Sequence, residues 1–278
     1  MTTYEIRPFR TIEEFRGCEK LQEETWGEGF SERVPAAILK VAQILGGISA
    51  GAYAPDGTLV GFVFGLTGVR GGEVVHWSDM LAVKRGIRDT GLGTQLKAYQ
   101  RQVMLDRGVT RMHWTFDPLQ SRNAYMNFSK LGIVVREYAR DMYGETDSPL
   151  HRGIGTDRFI ALWMMDSERV RRRMGGEERG PGKEVLSVYP AALGASMPEG
   201  GRPPEPGRVL LGMEDAAVSV AIPADISAVM VESMDLAVAW RQGTRLALTH
   251  YMDRGYEVRE LVRGPSTSHY LLFRESRP

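Results

Sequence analysis

A short glycine-containing loop between an apolar strand and an amphipathic helix constrains this chain most. Residues 80–83 are apolar, and Gly91-Leu92-Gly93-Thr94 opens a helical pattern soon afterwards. The first turn of a helix has unpaired backbone N–H groups, and glycine there lets an anion approach closely. Arg88 adds a fixed positive charge with a forked set of donors. The segment therefore predicts either a pyrophosphate site or a tight strand-to-helix turn.

Two common phosphate motifs do not fit this loop. The nucleoside-triphosphate loop requires Lys-Ser/Thr after its last glycine, whereas Gly93 is followed by Thr94 and Gln95. The dinucleotide fingerprint requires a third glycine three residues further on, where this chain has Leu96.

Periodicity and turn residues predict a mixed α/β first domain over residues 1–168. The expected order is a strand (4–7), two helices (12–24, 35–45), a hairpin (48–54, 58–66), a strand (73–83), a helix (91–107), a strand (111–116), a helix (121–131) and two strands (133–138, 158–165). The helix at 91–107 carries one apolar stripe, formed by Leu92, Leu96, Tyr99 and Val103.

The chain after the first domain changes in composition. Residues 169–210 contain an arginine run and Pro/Gly-rich stretches, which predict a linker region. Residues 211–278 predict a small α+β domain with strands at 218–222, 256–262 and 269–273 and a helix at 235–254. This unit is too short to bury a generous core alone, so we expect it to dock on the first domain or on a partner subunit. A homodimer is therefore one expected arrangement.

Composition excludes several classes of partner. The 278 residues include 35 basic and 35 acidic side chains, so no overall charge attracts nucleic acid or an anionic membrane. The single cysteine, Cys18, cannot form an internal disulfide, and no Cys/His cluster has metal-ligand spacing. No signal-peptide core or membrane-spanning segment is expected, and the expected compartment is the cytoplasm.

The segment Arg88-Asp89-Thr90-Gly91-Leu92-Gly93 resembles motif A of the GNAT superfamily of N-acetyltransferases, whose pattern is Arg/Gln-x-x-Gly-x-Gly/Ala. The strand before the loop, the helix after it and the order of elements over residues 4–166 are also similar to that family. The resemblance implies a GNAT-like, mostly antiparallel mixed sheet flanked by helices. It also implies an enzyme that transfers an acyl group from acetyl-CoA or another acyl-CoA to a primary amine, without a metal.

The resemblance also implies where the cofactor would lie. Its pantetheine arm would pair with the backbone of Leu81, Ala82 and Val83, and the Leu81 N–H would polarise the thioester carbonyl. Asn123 or Ser121 would hold the pantetheine amides. The pyrophosphate would bind Arg88, Asp89, Thr90, Gly91, Leu92, Gly93 and Thr94.

Catalytic groups are less well specified. The base of this family lies on the fourth strand, and a period of two would place Trp77, Asp79, Leu81 and Val83 on one face. Asp79 is thus either a base or the partner of a basic side chain, whereas His76 is expected to be structural. The tyrosine that protonates the thiolate in this family is replaced by Phe128 in this sequence. The resemblance implies that Phe128 contacts the cofactor. Tyr125, one turn earlier, or Tyr143 would have to substitute, or no protein acid is needed.

Acceptor-side residues and two alternative functions stay open. Asp117 either caps a turn or binds an acceptor cation, and Trp26 with Gly27 lies where the family builds acceptor pockets. Residues 114–119 and 123–132, with the C-terminal extension, are similar to an uncharacterised GNAT branch associated with N-acylamino acid racemases, which suggests N-succinyl transfer to amino acids. A degenerate domain that only binds acyl-CoA is the other alternative, supported by Phe128.

Overall fold

The computed structural model describes residues 4–28, 30–87, 90–144 and 153–274. The chain forms two compact units, one ending at Trp114 and the other beginning at Thr115. In the described part of the chain, no helix is long and apolar enough to cross a membrane.

The first unit packs three helices on a five-stranded sheet. Its helices are α1 (Ile12–Trp26), α2 (Ala36–Ile44) and α3 (Leu92–Asp106). Its strands are β1 (Glu5–Pro8), β2 (Ile48–Tyr53), β3 (Leu59–Arg70), β4 (Glu73–Val83) and β5 (Arg111–Phe116), the last of which ends just past the unit boundary. Strands β1 to β4 pair antiparallel in sequence order, and β5 pairs parallel with β4.

Local sequence explains how the first unit begins. Thr11 caps α1 in a capping box: its side chain accepts from the backbone N–H of Glu14, and the Glu14 carboxylate accepts from the N–H of Thr11. The apolar face of α1 then joins α2 and the sheet in a core that includes Phe15, Leu39, Phe62 and Met80. This core fixes α1 and α2 on one face of β4.

The second unit has a seven-stranded sheet with helices α4 to α7. Its helices are α4 (Ser121–Tyr125), which continues into a π-helical turn (Met126–Leu131), α5 (Glu168–Met174), α6 (Ile226–Glu232) and α7 (Met234–Asp253). Its strands are β6 (Val134–Ala139), β7 (Arg158–Met164), β8 (Ala191–Ser196), β9 (Glu205–Val209), β10 (Ala217–Pro223), β11 (Tyr256–Val262) and β12 (Thr267–Arg274). They lie in the order β7-β6-β11-β12-β10-β8-β9 and are mostly antiparallel.

The predicted mixed α/β class and the predicted order of elements up to β7 are confirmed. The two compact units of the structure divide the chain after residue 114, whereas the first predicted domain extends to residue 168. The predicted linker, residues 169–210, contains all but the first residue of α5, together with β8 and β9. The predicted domain limits of 1–168, 169–210 and 211–278 therefore stay a prediction.

A repeated motif explains how the C-terminal extension attaches. Gly-x-x-Val-Arg-Glu occurs at residues 132–137 and again at 255–260, each time after a helical segment and at the start of a strand pair. Both glycines have positive φ, 72° at Gly132 and 85° at Gly255. The equivalent residues Val135 and Val258 face each other where β6 and β11 pair antiparallel, which relates the two copies by a local twofold axis. The extension thus docks within its own chain by covering the edge of β6.

Candidate functional site

The loop before α3 has the features of an anion site. Gly91 occupies the N-cap position with φ 86°, a left-handed conformation that favours glycine, and glycine has no side chain that could cap the helix. A Cβ at Gly93 would meet only the Leu81 side chain, at 3.8 Å, so the backbone there is open to a ligand. Thr90 Oγ1 donates to the Ile87 carbonyl at 2.9 Å and closes the loop. Arg88 and Asp89, predicted to bind pyrophosphate, lie outside the described residues.

The edge of β4 nearest β5 offers backbone groups to a ligand. Lys84 donates its backbone N–H to Val60 on the β3 side, so alternation turns the N–H groups of Leu81 and Val83 away from β3. Parallel pairing between β4 and β5 joins only His76 with Met112 and Trp77 with His113 among the described residues. Beyond this fork the two strands separate, and the Leu81 and Val83 backbone faces the gap.

A β-bulge at Asp79 corrects the predicted face of β4. Phe64 pairs with Met80 but Gly65 pairs with Ser78, so Asp79 is an extra residue on β4. His76 and Ser78 before the bulge therefore bond to α3, whereas Met80 after it packs with α1 and α2. Leu81 lies on the α3 side, against Gly93. The prediction that Trp77, Asp79, Leu81 and Val83 share one face is wrong, because the bulge shifts the alternation by one residue.

The carboxyl of Asp79 has a pKa above its ordinary value. Its side chain is exposed to solvent, and no described basic side chain forms an ion pair with it. Desolvation by the surrounding protein and then the negative charge of Glu32 raise the pKa of its carboxyl, although a hydrogen bond from Trp77 opposes them.

Trp26 and Phe30 stack beside the connection that carries Glu32. Their ring centroids are 5.3 Å apart, and Trp26 is 36% exposed. The connection between α1 and α2 thus presents an aromatic surface together with a carboxylate, a combination that suits an organic cation.

A network of buried, hydrogen-bonded polar side chains lies between β4 and α3, and the sequence patterns did not predict it. Lys97 on α3 donates to Ser78 Oγ at 2.7 Å and to Gln100 Oε1 at 3.4 Å. The Gln100 amide N–H bonds to His76 Nε2 at 2.9 Å, and His76 Nδ1 bonds to Thr67 Oγ1 at 3.1 Å. Thr67 donates onward to the Gly46 carbonyl, so the network assigns the His76 proton to Nδ1.

Desolvation has the largest effect on the pKa values of His76 and Lys97 in this hydrogen-bonded network. Burial lowers the pKa of His76 to about 3, assisted by the charges of Lys97 and Arg107, so His76 is neutral and structural as expected. Burial alone lowers the pKa of Lys97 to about 7. The buried residues Leu92, Leu96, Gln100 and Met104 are spaced by four, and the predicted stripe with Tyr99 and Val103 is only half-buried at those two positions. If polar residues next to the apolar stripe of α3 are also counted as buried, the helical spacing predicts that Lys97 is buried.

The second unit contains the remaining predicted residues. Asn123 is exposed and accepts a 3.4 Å bond from the Asn127 amide. Tyr125 is half-buried, with the Arg263 guanidinium 4.9 Å from its ring. Phe128 is fully buried and packs edge-to-face against Phe116 and Tyr270. The roles predicted for Asn123, Tyr125 and Phe128 stay predictions.

Asp117 is a structural residue of the second unit. It accepts from the Leu119 backbone N–H at 2.8 Å, which confirms the expected turn cap. Its two oxygens also accept from one nitrogen of Arg241, at 2.8 and 2.7 Å, so its cation comes from α7 of the same chain.

Tyr143 lies near the end of β5 within the second unit. Its hydroxyl is 2.9 Å from Thr115 Oγ1, and its ring is 44% exposed. Its backbone N–H is held by Thr156 Oγ1 at 3.2 Å. An accessible phenol is therefore available on this unit.

Comparison with known proteins finds likeness only among solved structures. No protein-family model and no curated protein matches the chain. An aminoglycoside 6'-acetyltransferase type Ii is 19% identical with a TM-score of 0.47, covering 59% of this chain and 99% of that one. The ribosomal-protein-S18-alanine N-acetyltransferase from Escherichia coli is 15% identical with a TM-score of 0.46, covering 60% and 97%. The putative acetyltransferase yncA from Salmonella typhimurium, solved with acetyl-CoA, is 15% identical with a TM-score of 0.46, covering 60% and 96%.

Proposed function

We propose that the chain is an acyl-CoA-dependent N-acyltransferase. The observation that carries this proposal is the fork between β4 and β5, which leaves the Leu81 and Val83 backbone facing a gap beside the glycine-containing N-terminus of α3. An extended amide-containing arm pairs with such an edge, and a pyrophosphate suits such a helix end. Acyl-CoA carries both features on one molecule and supplies an activated acyl thioester.

Each residue of the proposed cofactor site has a defined task. The N–H groups of the first turn of α3, with Arg88, Asp89 and Thr90, hold the pyrophosphate. Leu81, Ala82 and Val83 pair with the pantetheine arm, and the Leu81 N–H donates to the thioester carbonyl. Asn123 and Phe128, the further contacts that the resemblance implies, belong to the second unit, where Phe128 is fully buried. The open space around Gly93 supports this fit, because a side chain there would occupy the approach to the backbone.

Asp79 is the proposed base for the acceptor. An ammonium must lose a proton before its nitrogen can attack a carbonyl, and a carboxylate with a raised pKa accepts that proton more readily. Glu32 lies close enough to add negative charge, and Trp26 offers an aromatic face. These three side chains favour a small cationic amine, or the amino group of an amino acid, as the acceptor.

Substitution of Gly93 in α3, with Gly243 in α7 as the control position, tests the proposal. Gly93→Ala adds a methyl group that meets only Leu81 at 3.8 Å, so the fold tolerates it. We expect it to weaken CoA binding by about tenfold, roughly 1.4 kcal/mol, since the methyl group blocks the approach of phosphate to the helix end. Isothermal titration calorimetry with CoA and acetyl-CoA measures the change.

Gly243→Ala in α7 is the matched control, because its Cβ would also meet only ordinary contacts, the nearest at 3.5 Å. It should leave CoA affinity unchanged. A thiol-release assay over amines and amino acids, with acetyl-CoA and succinyl-CoA, then identifies acyl group and acceptor. Absence of CoA binding by the unmodified chain would refute the proposed function, and CoA binding without thiol release on any acceptor would leave a binding module.

A further inference from the structure

Lys97 occupies the point at which β4 and β5 part. The last pair of the two strands is Trp77 with His113. The next residue on β4 is Ser78, and the next on β5 is Trp114. Lys97 Nζ contacts both of them, at 2.7 Å from Ser78 Oγ and 4.0 Å from the centroid of the Trp114 ring. The amine therefore lies where the gap between the two strands begins, against the first unpaired residue of each strand.

The surroundings leave this amine free to change its charge. Lys97 is 9% exposed, and no described carboxylate lies within ion-pair distance of it. Its hydrogen-bond partners, Ser78 and Gln100, are neutral. The other titratable or charged groups on the neighbouring elements are Glu73, His76 and Asp79 on β4, Tyr99, Arg101 and Asp106 on α3, Arg107 directly after α3, and Arg111 and His113 on β5. Of these, His76 stays neutral, and Asp79 is the extra residue of the bulge and is exposed to solvent.

A lysine that gains and loses its proton near neutral pH fits the task of an acid. Burial lowers the pKa of Lys97 to about 7. Its ammonium and its neutral amine are therefore both populated near neutral pH, as an efficient general acid requires.

We infer that Lys97 is the acid that protonates the thiolate leaving group when the acyl chain is transferred. This inference rests on the proposed acyl-CoA site. A bond forms between the acceptor nitrogen and the acyl carbon, and the carbon–sulfur bond breaks with its electron pair going to sulfur. The ammonium of Lys97 gives a proton to that sulfur. Asp79 takes the proton released by the acceptor and passes it to water, and Lys97 regains its proton from water before the next turnover.

Bound CoA, without any acceptor, tests this inference directly. A cation beside the sulfur stabilises the thiolate, so the pKa of the CoA thiol should fall by at least one, a tenfold change in its ionisation constant. Thiolate absorbance in the ultraviolet, recorded against pH for free and bound CoA, measures that change. Lys97→Met should abolish it, whereas Asp79→Asn, which alters the proposed base and leaves Lys97 in place, should keep it.

A second measurement avoids dependence on the folding of the variant. Nitrogen NMR of the lysine ammonium groups in the unmodified chain should show that CoA raises the pKa of Lys97, and that desulfo-CoA, which lacks the sulfur, does not. Equal effects of CoA and desulfo-CoA on Lys97, or the same thiolate fraction in the unmodified chain and Lys97→Met, would overturn the inference. Failure of both ligands to bind would instead refute the acyl-CoA site.

Discussion

The buried cation Lys97 in the first unit and the buried cation Arg241 in the second have opposite environments. In the second unit, Arg241 is 3% exposed and bonds to both oxygens of Asp117, which is equally buried, and to the Ile154 carbonyl at 3.0 Å. In the first unit, Lys97 is 9% exposed and has only neutral partners. A paired cation keeps its charge, while a buried cation without a carboxylate is free to lose it.

The pKa directions express that difference. Burial acts to lower the pKa of Arg241, but the charge and hydrogen bonds of Asp117 outweigh burial and hold the pKa above its ordinary value. Burial acts alone on Lys97 and lowers its pKa to about 7. The second unit therefore uses its buried charge for structure. The first unit keeps a charge that can titrate, in the place where we propose chemistry.

Removing the paired cation should have the largest effect on stability. Arg241→Met leaves the Asp117 carboxylate buried without its partner, which typically costs about 3–5 kcal/mol of unfolding free energy. Urea denaturation at neutral pH measures the loss. The double variant Arg241→Met with Asp117→Leu removes both charges and should recover most of it. A loss below about 1 kcal/mol in the single variant would show that the pair does not behave as a buried ion pair.

Removing the unpaired cation should instead stabilise the protein, with a dependence on pH. The folded-state pKa of Lys97 is about 7, below the ordinary 10.5, so the unfolded chain binds more protons and stability falls as the pH drops from 10.5 to 7. The difference corresponds to at most about 5 kcal/mol. Lys97→Met avoids this cost but leaves Ser78 and Gln100 without their partner, so we expect a net gain of about 2 kcal/mol below pH 7.

Urea denaturation at several pH values checks this expectation. The gain should shrink and then become a loss as the pH rises through 10.5, since Lys97 is then largely neutral in both states and only the loss of its hydrogen bonds to Ser78 and Gln100 remains. Lys40, on the exposed side of α2, provides the control, and Lys40→Met should give a nearly flat difference across the same range. A gain for Lys97→Met that does not change with pH would contradict a buried titrating amine.

Sequence patterns located the elements around the site well. Strands β4, β5 and β11 have the predicted bounds, because each is a regular run ended by turn residues. The capping box at Thr11 placed the start of α1 at the correct residue. The glycine loop was also located, because a strand-to-helix turn is a local feature.

The geometry within the site depended on contacts that no local pattern encodes. The bulge at Asp79 arises from pairing with β3, where a Cβ at Gly65 would lie 2.4 Å from His76 Nε2. Strands β8 and β9 lie in a Pro/Gly-rich stretch and gain their hydrogen bonds from partners. Asp117 and Arg241 are 124 residues apart, so their pairing becomes visible only after the chain has folded. The lone buried Lys97 was hidden because charged residues on a helix are expected at the surface.

The smallest effect should come from one member of a carboxylate network in the second unit. Asp157 accepts from the Tyr138 hydroxyl, from two nitrogens of Arg245 and from the Asp141 backbone N–H. Tyr138→Phe removes one of these donors and leaves the others, so unfolding by urea should show a loss of only about 1 kcal/mol. Tyr143→Phe removes an exposed hydrogen bond to Thr115 and should cost less still. A loss for Tyr138→Phe as large as that for Arg241→Met would mean that the hydrogen bonds of Asp157 act as one cooperative unit. The remaining donors would then not compensate for the loss of one.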